Sequence, residues 1–164
     1  MIPKHKKYYD AYYNRCREVR DWIQCRKIYF IWGNHDDNDG VRLIADLFEK
    51  CYDQTQQRFG NCRVIFNHYP LISWNGQHNG SVESPNICLY GHVHNKEVSP
   101  KLLVYPGSWA GLDCGVDSNN YQVWALDETI RYLRPNLESL EKLKRERREF
   151  DPFRGRVEHS GDVR

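Results

Sequence analysis

The sequence predicts an α/β fold, a mixed β-sheet of sandwich type with flanking helices. Helical periodicity alternates with short apolar runs in the first half, and short apolar runs dominate the second. Its 164 residues suffice for one ordinary domain. Leu, Ile, Val and Phe make up 38 of them, above the ~20% below which chains tend to stay disordered.

From Tyr8 to Cys25 there is no Pro or Gly, and Tyr9, Tyr12, Tyr13, Cys16, Val19 and Ile23 recur at three- and four-residue steps, which predicts a helix with one apolar face. Lys27–Trp32 is a β-branched and aromatic run ending at Gly33, the pattern of a buried strand. Asp39 is a candidate cap for a second helix from Val41 to about Cys51, with Val41, Leu43, Ile44, Leu47 and Phe48 on one stripe. Arg63–Phe66 reads as a strand, and residues 73–86, rich in Asn, Gly, Ser and Pro, as a loop. Further strands are expected at Ile87–Tyr90, Leu102–Tyr105 and Tyr121–Leu126. After Pro135, Leu137–Phe150 reads as a helix and the remainder as a frayed end. The organisation is therefore a domain over 1–134 and a C-terminal helix and flexible tail over 135–164.

The net charge of +2 gives no whole-molecule reason to expect an anionic partner. Residues 1–27 are locally basic, with eight Lys or Arg against three Asp or Glu and interleaved Tyr8, Tyr9, Tyr12 and Tyr13. That mixture can stack bases and hold phosphates, although a solvated helix face explains it more simply. No run reaches the ~18 apolar residues of a spanning helix, and the basic start is followed by Tyr-Tyr-Asp, not an apolar stretch. No membrane partner and a cytoplasmic location are the expectation. Six widely spaced cysteines form no Cys-x-x-Cys pair, so they are read as reduced packing residues.

Three polar clusters each follow an expected strand: Gly33-Asn34-His35-Asp36, Asn67-His68-Tyr69-Pro70, and Gly91-His92-Val93-His94-Asn95. Taken alone, the first reads equally as a turn, the second as a capped strand end and the third as a solvated strand face. Ligands of open α/β sheets collect at the carboxyl ends of strands, so the three together can form one site. Imidazole nitrogens and an Asn oxygen are donors for borderline and harder divalent ions. In an extended segment His92 and His94 would project to the same side, with Gly91 letting the backbone pass close by. His5, His78 and His159 are read as surface residues.

The ordered set Gly33-Asn34-His35-Asp36, His68 and Gly91-His92-Val93-His94 resembles the last three sequence blocks of the calcineurin-like metallophosphoesterase family. His68-Tyr-Pro-Leu71, Leu89-Tyr-Gly-His92 and Cys114-Gly-Val-Asp117 resemble its small bacterial and phage members. The likeness covers roughly Ile28 to Ile130. It implies a phosphoesterase acting on a phosphomonoester or phosphodiester, nucleic acid among the possible substrates, through a metal-activated water between two divalent ions ~3.5–4 Å apart. The ions implied are manganese first, or iron, zinc or magnesium, two in the family and ligands for one expected here. By position Asn34, His68 and His92 would bind one ion and His94 the other. His35 would be the catalytic residue, stabilising the transferring phosphoryl group or protonating the leaving oxygen, and Asp36 would steady the loop. The family's opening Asp-x-His and Gly-Asp blocks have no counterpart before Gly33. The expectation is thus a partial metallophosphoesterase domain over 1–134, a truncated copy without its first βαβ portion, with an open edge beside Ile28–Ile31 that favours association. The alternative is a noncatalytic metal- or nucleic-acid-binding remnant.

Overall fold

The computed structural model describes residues 4–36, 41–94 and 110–149. It is a mixed α/β structure with a four-stranded mixed sheet and flanking helices. Helix α1, Lys4–Trp22, leads to β1, Tyr29–Ile31. The Arg20 guanidinium closes the end of α1: Nε donates to Leu47 O at 3.1 Å, Nη1 to Ile23 O and Nη2 to Cys25 O. Tyr13 Oη donates to Asp46 at 2.7 Å, so α1 is tied twice to the segment after residue 40.

That segment departs from the expected helix. Val41–Leu47 is a 3₁₀ helix, and β2, Lys50–Tyr52, follows at once. Of the expected apolar stripe, Ile44 is buried and Phe48 stacks on Phe30 at 4.6 Å, but Cys51 is drawn into parallel pairing with Phe30 of β1. β1 pairs only with β2 among the described residues and is partly exposed, not a buried strand; Tyr29 keeps 53% of its surface.

The main sheet runs β3-β4-β5-β6: β3 is Gln54–Phe59, β4 Cys62–Asn67, β5 Asn86–Tyr90 and β6 Gly111–Asp113. β3 and β4 form an antiparallel hairpin closed at Phe59 and Cys62, where Gly60 at φ 60° supplies the left-handed residue of the two-residue turn. β4, β5 and β6 are parallel, so their carboxyl ends lie side by side. Neither β3, a polar edge strand, nor β6 is expected from the sequence. The strand expected at Leu102–Tyr105 lies outside the described residues. The strand expected at Tyr121–Leu126 does not form: Asn120 and Tyr121 have φ of 50° and 60°, and Val123 is 81% exposed.

Helix α2, Leu126–Glu149, replaces it and runs through Pro135, so it does not begin after the proline as expected. Its start is half a capping box, Ala125 N–H donating to Glu128 Oε2 at 3.2 Å. An interior proline is costly, yet Leu133 and Leu137 flank it and bury in the same cluster as Val64, Ile87, Leu89 and Ala110. The opposite face of the sheet buries Ile65, Cys88 and Tyr90 under Leu71, Trp74 and Val93. β5 is therefore covered on both faces, as a central parallel strand requires. All six cysteines are unpaired, and burial pushes the Cys88 thiol up to about 12. No helix among the described residues is long and apolar enough to cross a membrane.

Candidate metal centre

The three polar clusters leave the ends of β1, β4 and β5. The first is a tight turn in which Gly33 N–H donates to Asp36 Oδ2 at 2.8 Å and Asp36 N–H donates to Gly33 O at 3.0 Å. Asp36 thus steadies the loop, as expected, and presents Asn34 and His35 outward. At the second, Asn67 Oδ1 accepts the Tyr69 N–H at 2.8 Å while its amide donates to Gln54 Oε1 at 2.7 Å, which anchors the His68 segment to β3.

At the third, Gly91 N–H donates to His68 O at 3.1 Å, and Val93 N–H donates to Gly91 O at 2.8 Å across His92, whose φ is 71°. His92 is thus the centre of a γ-turn, a conformation strained for any residue with a Cβ. His94 also has positive φ, 51°. The extended geometry expected to aim both imidazoles into one pocket is therefore corrected: the backbone turns at each histidine and sends the rings to different partners. Strain of this kind costs about 1–3 kcal/mol and persists where surrounding contacts enforce it. His92→Gly is accordingly expected to be more stable than His92→Ala by about 1 kcal/mol or more, measured by urea unfolding. Equal stability would remove the strain argument.

The side chains converge as a triangle. His68 Nε2 lies 2.7 Å from Asn34 Oδ1, His92 Nδ1 lies 3.1 Å from the same oxygen, and the two ring nitrogens are 3.2 Å apart. Protons cannot satisfy all three contacts well: if both nitrogens donate to the oxygen, two N–H groups oppose each other. Donors bound at about 2.1 Å on one face of a tetrahedral or octahedral ion stand about 3.0–3.4 Å apart, close to these spacings. The donor set thus fits a divalent ion. Among the described residues no group of three or more His, Cys, Asp or Glu converges, so the triangle reaches three donors only through the Asn34 amide oxygen. Burial holds His68 below the usual histidine range, and the neighbouring His92 adds to this, which favours the neutral form that a ligand needs.

His94 does not join the triangle; its Nδ1 lies 2.5 Å from Asp117 Oδ2. His35 is exposed on the turn next to Asn34. Room for the His68 ring comes from Gly33, where a Cβ would sit 2.8 Å from ring atoms; a Cβ at Gly91 would come only to 4.0 Å. Tyr69, edge-on to both His68 and His92 at 5.0 and 4.7 Å, completes the wall. A cleft of about 390 Å³ adjoins the triangle, lined by Trp32, Asp53, Gln54 and Asn67 among others. Sequence reasoning missed Asp117, the role of Gly33 and the cleft residues supplied by the start of β3. No family model, curated protein or solved structure matches the chain.

Proposed function

We propose that the chain is a metal-dependent phosphoesterase of the calcineurin-like metallophosphoesterase type, hydrolysing a phosphomonoester or a phosphodiester, a nucleic-acid phosphodiester included. The observation that carries this reading is the convergence of Asn34 Oδ1, His68 Nε2 and His92 Nδ1, within 2.7–3.2 Å of one another, from three strand ends. Those three residues would hold a divalent ion, manganese, iron, zinc or magnesium, with the Nε2 of His94 left for a second.

When bound, such an ion polarises a phosphoryl oxygen and lowers the pKa of a coordinated water. Burial favours the neutral form of His68, whose lone pair would then be free for the ion. The turn locked by Asp36 presents Asn34 as donor and carries His35 beside it, where an imidazole can give a proton to the leaving oxygen. The cleft beside the triangle receives the organic part of the ester between Trp32 and Tyr69, with the amides of Gln54 and Asn67 within it.

The test is calorimetric titration of metal-free protein with Mn²⁺ and Zn²⁺, alongside hydrolysis of bis(p-nitrophenyl) phosphate and p-nitrophenyl phosphate. His92→Ala is expected to lose both ion binding and turnover. His35→Ala should keep ion binding and lose roughly 10²-fold or more in turnover. Ion binding without turnover in the parent protein would support the noncatalytic alternative, and hydrolysis unaffected by either substitution would overturn the site.

A further inference from the structure

β5 and β6 are parallel neighbours, with Tyr90 paired to Asp113 and Cys114 N–H donating to Tyr90 O at 2.7 Å. The chain therefore leaves both strands side by side, and His94 and Asp117 each follow four residues later. The loop after β6 is built to hold one carboxylate. Asp113 Oδ1 accepts the Gly115 N–H at 3.0 Å, Ser118 Oγ donates to Asp113 O and Gly115 O, and a 3₁₀ turn spans Val116–Ser118. The turn itself is closed by the Ser118 N–H donating to Gly115 O at 3.0 Å and the Asn119 N–H donating to Val116 O at 3.1 Å. The Asp117 carboxylate packs so closely over Gly115 that a Cβ there would lie 2.7 Å from Oδ1. An acceptor pinned by its own loop then meets His94 Nδ1 at 2.5 Å.

We propose that Asp117 is a positioning residue for the site: it accepts the Nδ1–H of His94, fixing that tautomer and ring orientation so that Nε2 carries the lone pair. This extends the metal-centre reading, because a ligating or proton-handling imidazole is commonly held through its other nitrogen by a carboxylate. The pairing itself, however, requires no ion. A free imidazole chooses between its tautomers, and a fixed carboxylate at Nδ1 removes the choice.

The test is ¹H–¹⁵N correlation spectroscopy of the histidine rings in metal-free protein, above the pH at which the rings are cationic. His94 Nε2 is expected in the unprotonated range and Nδ1 in the protonated range. Asp117→Ala should release His94 to a mixture of tautomers. Gly115→Ala should do the same with the carboxylate retained but displaced, which keeps the test decisive if the first variant fails to fold. Asp117→Asn keeps the shape but can present an N–H to Nδ1, and should push the proton onto Nε2. Where the parent protein turns over substrate, loss of this partner should lower activity by roughly 10–100-fold. Protonated Nε2 in the parent protein, or an unchanged tautomer in the variants, overturns the proposal. Failure of Mn²⁺ and Zn²⁺ to bind while the tautomer behaves as expected would instead overturn the metal-centre reading alone.

Discussion

Leu137→Ala should destabilise the protein by about 2–5 kcal/mol, among the largest effects of any single truncation in this chain. Leu137 is 0% exposed and sits where α2 meets the sheet, in one cluster with Val64 of β4 and Ile87 and Leu89 of β5. These strands are hydrogen-bonded on both sides within the sheet, so their backbone cannot readily collapse into the space left by the deleted atoms. A cavity lined by rigid neighbours carries the full cost. Leu133→Ala should cost a similar amount, although it precedes Pro135, because the helix is continuous from Leu126 and places both leucines on one face. Leu143, only half-buried, should lose less. Urea unfolding at constant slope provides the comparison. A Leu133→Ala variant as stable as the parent would show that α2 does not dock ahead of the proline.

The same helix shows where the sequence was legible and where it was not. Long-period signals survived: Leu133, Leu137 and Leu140 recur at helical spacing and all bury. The proline overrode them in the sequence reading, because its local cost is visible and the burial that offsets it is not. Val41–Cys51 failed for a related reason. Its stripe suits a 3₁₀ helix as well as an α-helix, and pairing of Cys51 with Phe30 is decided by a distant strand. Tyr121–Leu126 has the apolar composition of a strand, but composition does not supply a strand to pair with, and Tyr121 is 83% exposed.

The candidate site was more legible than the sheet that carries it. The strand-end rule leads only to the expectation that the three clusters can converge, which they do; the choice of Asn34, His68 and His92 within them comes from the family resemblance. His94 was assigned to the right neighbourhood with the wrong geometry, since spacing cannot show that both histidines adopt positive φ. Asp117 was missed as its partner because β6 is only three residues, Gly111-Leu112-Asp113, with no β-branched side chain to mark it. The signal available was the Asp113-Cys-Gly-Val-Asp117 spacing, a turn sequence that places two carboxylates around one glycine.

Gly33→Ala should abolish the triangle while leaving the fold intact, whereas Gly91→Ala, the substitution at the glycine first suspected, should be tolerated. At Gly33 the added methyl would stand 3.0 Å from Nε2 of His68 and 2.8 Å from its Cε1 and Nδ1, the latter closer than real Cβ atoms come. The imidazole is a rigid plate with no flexible end to yield. It is also bordered by Tyr69 and His92, both edge-on at 5.0 Å, so it has to leave its present place to admit the methyl. That separates Nε2 from Oδ1, now 2.7 Å apart, and removes one of three donors. At Gly91 the nearest atom is 4.0 Å away, an ordinary contact. Mn²⁺ affinity is therefore expected to fall at least about 10-fold in Gly33→Ala, a loss of about 1.4 kcal/mol, with Gly91→Ala near the parent value. Folding stability should stay within about 1 kcal/mol in both, because neither glycine belongs to the core cluster. Parallel calorimetric titrations decide the matter. Equal affinities in the two variants would mean that the His68 ring is not held by the Gly33 turn, and that the three donors do not act together.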